Sequence, residues 1–208
     1  PEPARAPGSH RAAPRRPVPG SMEHARALCR DGDATAALSA LSARGYTPID
    51  VIESSDGSTA LHLVAGVRRH DDGDLLARFL RAICLSTPSI DAVRDDNGST
   101  PLHRAAFFGN RRAAQQLVSA GAGPGTPNAE GRTPLHLAAD AGDEDCLRIF
   151  VEELWGPRDV ASCRRLVDAL EARDTSVGHS PLTASRGRAR RFLESARAQW
   201  SLCLNTNE

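Results

Sequence analysis

Residues 98–110 read GSTPLHRAAFFGN, and 33 positions later residues 131–143 read GRTPLHLAADAGD; a looser copy, GSTALHLVAG, begins at Gly57. A catalytic motif is normally used once in a chain, so a segment repeated with its histidine in place points first to architecture. Setting Gly57, Gly98, Gly131 and Gly178 equivalent gives spacings of 41, 33 and 47 residues. The outer two are the middle one lengthened by 8 and by 14, which reads as one unit carrying insertions.

Local chemistry explains the motif. Thr100 and Thr133 suit a helix start, Pro101 and Pro134 fit the first helical position where no N–H is needed, and Leu102 and Leu135 begin a buried stripe. Ala105-Ala106 and Ala138-Ala139 let neighbouring helices approach closely, and Gly109 and Gly142 end the first helix. A second helix is expected over residues 111–120 and 143–154, the latter with Leu147, Phe150, Val151 and Leu154 on one face. Gly121 and Gly123 then let the chain turn out and back toward the next cap.

With its 33-residue period and its Thr-Pro-Leu-His at 100–103 and 133–136, the chain resembles the ankyrin-repeat family, Thr59-Ala60-Leu61-His62 being a weaker copy. The resemblance implies an all-α solenoid of about five helix-turn-helix units joined by β-turn loops, with polar capped ends. Residues 22–46 read as the N-terminal cap. Residues 179–200 keep Ser180-Pro181-Leu182, put Thr183 where histidine stood, and read as the C-terminal cap with a shortened first helix. Departures from the family are insertions: about three residues near 69–72, about five before Asp95, and a segment after the fourth unit. There residues 159–171 place Val160, Cys163, Leu166, Val167 and Leu170 on one face, predicting an extra helix.

The domain organisation expected is a disordered Pro/Arg-rich tail over 1–21, a repeat domain over 22–200 and a flexible tail over 201–208. The first segment has six prolines and no large apolar residue but Val18. Gly20-Ser21-Met22 resembles a cloning junction followed by an initiator methionine, which leaves open whether all of it is native.

No apolar run approaches the roughly 18 residues of a membrane span, and the first thirty residues lack a signal-like stretch, so an intracellular protein, cytoplasmic or nuclear, is expected with no membrane contact. Five scattered cysteines fit neither a disulfide framework nor a metal site. Formal net charge is zero, but residues 1–21 hold four Arg and one Glu and residues 186–197 five Arg and one Glu, leaving an acidic body between basic ends. All 26 basic side chains are arginine. GC-rich coding and avoidance of lysine modification are both open as reasons.

Catalytic, cofactor-binding and metal residues are all read as none. His62, His103 and His136 recur one per unit, too far apart to share an ion; the resemblance implies that each imidazole bonds loop backbone and ties one unit to the next. GAGPGTPN at 121–128 lacks the Gly-Lys-Ser/Thr ending of a phosphate loop, and residues 187–197 lack the interleaved aromatics of a nucleic-acid patch. Nucleic acid is therefore not the expected partner.

The resemblance implies a protein-binding module, expected to be a monomer. The resemblance implies contact through the loops and the two positions before each first-helix glycine: Asp56 and Ser58; Asp96, Asn97, Ser99, Phe107 and Phe108; Glu130, Arg132, Asp140 and Ala141. Phe107 and Phe108 point about 100° apart on a helix, so one should be exposed unless both pack against an insertion or a neighbouring unit. Arg104, where sister units have Leu63 and Leu137, is placed to stack on one ring or pair with Asp96. Recurrent acidic groups at 71–74, 95–96 and 140–145 suit a basic peptide, or simply solvate the surface. Alternative functions are a substrate receptor or adaptor of a ubiquitin ligase, which fits the missing lysines, and an enzyme regulator or inhibitor within a larger assembly.

Overall fold

Thr59, Thr100 and Thr133 are extended at φ −87°, −89° and −100°, and each hands the chain to a helix one residue later. In the computed structural model, which describes residues 22–31, 34–47, 50–53, 55–67, 76, 77, 80, 89–155 and 160–205, these starts recur along a stack. Among the described residues the helices with defined bounds are α1 (Met22–Asp31), α2 (Ala34–Ser42), α3 (Ala60–Ala65), α4 (Pro101–Phe108), α5 (Arg111–Ser119), α6 (Pro134–Ala141), α7 (Glu144–Trp155), α8 (Val160–Glu171), α9 (Pro181–Ala184) and α10 (Gly187–Asn205).

The inner helices touch in sequence, α3 on α4, α4 on α6 and α6 on α9. Alanine makes this possible: Ala105, Ala106, Ala138 and Ala139 are buried between them, with Leu61, Leu102 and Leu135 wholly enclosed. Burying each leucine contributes about 2 kcal/mol, and none could be buried by its own unit alone. Outside this layer α5 packs on α7, and Leu117, Leu147 and Phe150 join the same core. Gly109 and Gly142 close α4 and α6 in the left-handed region at φ 63° and 69°, where a side chain would be strained. Asn110 then accepts from the Ala113 N–H to start α5, and its amide donates to Ala65 and Val67 of the unit before.

The extra helix is present. α8 contacts both α7 and α10, with Leu166 and Leu170 wholly buried, so it enters the outer layer between two regular helices. The C-terminal cap has its four-residue α9, in which Thr183 Oγ1 accepts from the Ser180 N–H at 2.8 Å.

Two local features add to this plan. The loop before α3 is tightened into an antiparallel pair, β1 (Val51–Glu53) with β2 (Ser58–Thr59), because Gly57 at φ 67° reverses the chain and the Asp56 carboxylate accepts from the Ser58 N–H. Later loops are closed by Asp95 N–H to Ser99 O and Asn128 N–H to Arg132 O. The final helix runs on to Asn205. Tail 1–21, residues 206–208, the insertion near 69–72 and the acidic group at 71–74 lie outside the described residues. The insertion before Asp95 contains a 3-10 turn, Ile90–Ala92, whose Asp91 carboxylate accepts from the Gly123 N–H and the Thr126 hydroxyl.

Candidate functional site

Each repeated histidine uses both ring nitrogens. Nδ1 of His62, His103 and His136 accepts from the N–H of its own helix cap, Thr59, Thr100 or Thr133, at 3.3, 3.0 and 3.2 Å. A nitrogen that accepts a backbone N–H carries no proton, so Nε2 is the protonated one. Nε2 then donates onward: His62 to Ser99 O at 3.0 Å, His103 to Arg132 O at 2.9 Å, and His136 to Ala172 O and His179 O at 3.0 and 3.1 Å. One ring thus caps its own helix and grips the next unit's loop. Burial pushes all three pKa values below the ordinary 6.5, that of His103 to about 4, so the rings are neutral at pH 7. With both nitrogens committed, no lone pair is left for a metal or a substrate.

The loops are shaped by side chains that fold back on their own backbone. The Asp95 carboxylate accepts from Asn97 and Ser99, the Asn128 carbonyl from Glu130 and Arg132, and the Asp174 carboxylate from Val177, Gly178 and His179. Those N–H donors, Val177 first, hold the Asp174 carboxyl below the usual range. Successive tips are then joined: Asp96 N–H to Asp56 O, Ala129 N–H to Asn97 O, and Thr175 N–H to Glu130 O, at 2.8–3.0 Å. The tips form a ladder rather than separate mobile loops.

Between this ladder and helices α4 and α6 lies a concavity of about 210 Å³ lined by Asn97, Ser99, His103, Arg104, Phe107, Asn128, Glu130, Arg132 and Leu137. It unites six of the twelve residues expected at the site. Phe107 is 64% exposed and Phe108 37%, meeting edge to face at 5.1 Å between centroids, so neither ring is in the inner stripe.

Four more candidates stand behind that surface. The Arg104 guanidinium lies over Phe108, 5.6 Å from the ring centroid, and bonds Asp56 and Ser58 at 3.2 Å. Its carboxylate partner is therefore Asp56, one loop back, and not Asp96. Partial burial opposes ionisation of Asp56, but bonds from Ser58 and Arg104 outweigh it and hold its carboxyl below the usual range. Ser58 is wholly buried and can only position Arg104. Arg132 is held likewise by Asp140. The Nε atoms of Arg104 and Arg132 are buried without a hydrogen-bond partner. Asp96 and Ala141 are exposed but do not line the concavity.

The concavity is also lined by Asn128, Leu137 and His103, which the sequence reading does not place at a contact surface. Asn128 had a signal: it stands 33 residues after Asp95, at the loop-folding position.

Residues 71–160 match the family model for ankyrin repeats, in 3 copies. The chain is 32% identical to Tyrosine-protein kinase Shark of Drosophila melanogaster, covering 47% of this chain and 13% of that protein. It is 35% identical to ARF GTPase-activating protein GIT1 of Homo sapiens, again over 47% and 13%. To Neurogenic locus notch homolog protein 4 of Homo sapiens it is 56% identical, over 26% of this chain and 3% of that protein. The chain thus spans about an eighth or less of these relatives, and the activities in their names are theirs. Ankyrin repeats are in general interaction modules that bind proteins.

Proposed function

Since this chain is built of ankyrin repeats, we propose that it is a non-enzymatic, intracellular protein-binding module whose partner docks in the concavity between the loop ladder and helices α4 and α6. The observation that carries this reading is Phe107. A ring left 64% exposed at the wall of a concavity is the kind of residue that becomes an interface anchor. The surface around it is fixed by the tip ladder and by the Arg104–Asp56 and Arg132–Asp140 pairs, so little ordering cost attends binding. Asp96 and Glu130 are exposed and have no ion-pair partner among the described residues, which favours a partner with basic groups.

Affinity capture from native extract by the wild-type chain and by Phe107→Ala tests the reading. A partner held by the wild type and lost or weakened on the order of thirtyfold by the variant supports it. An unchanged set of partners removes the groove. Recovery of a cullin-type scaffold in the same capture would turn the module into a ligase receptor.

A further inference from the structure

The wall of the groove contains one complete arrangement of ring, cation and carboxylate. Arg104 covers the face of Phe108 at 5.6 Å and bonds Asp56 at 3.2 Å. Beside it stands a second ring whose set is incomplete. Phe107 touches Phe108 edge-on, is 64% exposed, and lines the concavity together with Glu130, an exposed carboxylate with no ion-pair partner among the described residues. The two cations lining the same concavity do not repel a third at full strength, because Asp56 and Asp140 neutralise them.

We infer that the partner supplies the missing member: one arginine side chain that lies on Phe107 and directs its guanidinium to Glu130. This rests on the groove reading above and adds the chemistry of the occupant. Arginine suits the place better than lysine because a planar guanidinium can stack on a ring and at the same time present a two-pronged donor to a carboxylate, which a rounded ammonium cannot. An acidic side chain would meet Glu130 as a like charge.

The test uses the whole chain, 15N-labelled, titrated with N-acetyl-L-arginine methylamide and, separately, with the lysine and glutamate equivalents. The arginine probe should give saturable amide shifts at Asn97, Phe107 and Glu130, with a dissociation constant on the order of millimolar that rises with salt. Glu130→Gln and Phe107→Leu should each weaken it by about threefold. Glu130→Gln leaves the fold intact, since the residue's structural contacts are its backbone N–H to Asn128 and its carbonyl to Thr175, and its melting temperature checks this. Lysine binding as tight as arginine, stronger shifts from the glutamate probe, or a Glu130→Gln chain that binds arginine unchanged each overturns the inference. Partner capture lost in Phe107→Ala but kept in Glu130→Gln sinks the arginine seat and leaves the groove; capture indifferent to both sinks the two together.

Discussion

His103 Nε2 donates to the carbonyl oxygen of Arg132 at 2.9 Å, 29 residues on and one unit further along the stack, while its Nδ1 accepts from Thr100 of its own unit. Replacing the ring leaves a buried N–H and a buried C=O unmatched and opens a void between units. His103→Ala should therefore lower unfolding free energy by about 3 kcal/mol, read as a shift of the urea midpoint.

The same ring makes the stack acid-sensitive. Its folded pKa of about 4 lies below the unfolded value near 6.5, so the unfolded chain binds the proton more readily. The stability it contributes is complete above pH 6.5 and is lost as pH falls from there toward 4. At 1.36 kcal/mol per unit this one ring accounts for about 3 kcal/mol, with His62 and His136 adding in the same direction. Asp56 and Asp174 lose their contribution only below the usual carboxylate range, in a separate window. Urea midpoints at pH 7.5, 5.5 and 4.5 should fall in that order; a flat profile would contradict the neutral, committed rings.

Backbone strain and steric contact separate at two glycines. At Gly142, φ 69°, an added methyl meets nothing within 4 Å, so Gly142→Ala should cost only the left-handed penalty of about 1 kcal/mol. At Gly57, φ 67°, the methyl would fall 2.9 Å from the Asp96 backbone nitrogen, so Gly57→Ala should cost clearly more and loosen the tip ladder. Thermal denaturation of the two variants side by side decides this.

Exposure, not residue type, sets the cost of losing a phenylalanine. Phe107→Ala should change stability by less than about 1 kcal/mol, because most of that ring is already in water. Phe150→Ala, wholly enclosed between α7 and its neighbours, should cost about 3–5 kcal/mol. Equal losses in calorimetry would mean that Phe107 is structural and not an anchor.

Sequence alone determined the repeat, its caps and its core. Thr-Pro-Leu-His, the alanine pairs and the closing glycines are local devices that act within one turn of the chain, so spacing exposes them: both αL glycines, the extra helix and the short α9 lie where the pattern put them. Tertiary structure decided the rest, because it turns on which side chains meet across units. It paired Arg104 with Asp56, 48 residues away, in place of Asp96, buried Ser58, and set Asn128 and Leu137 in the groove wall. Those contacts depend on how neighbouring units are seated on one another, a rigid-body relation fixed by packing that no single repeat encodes.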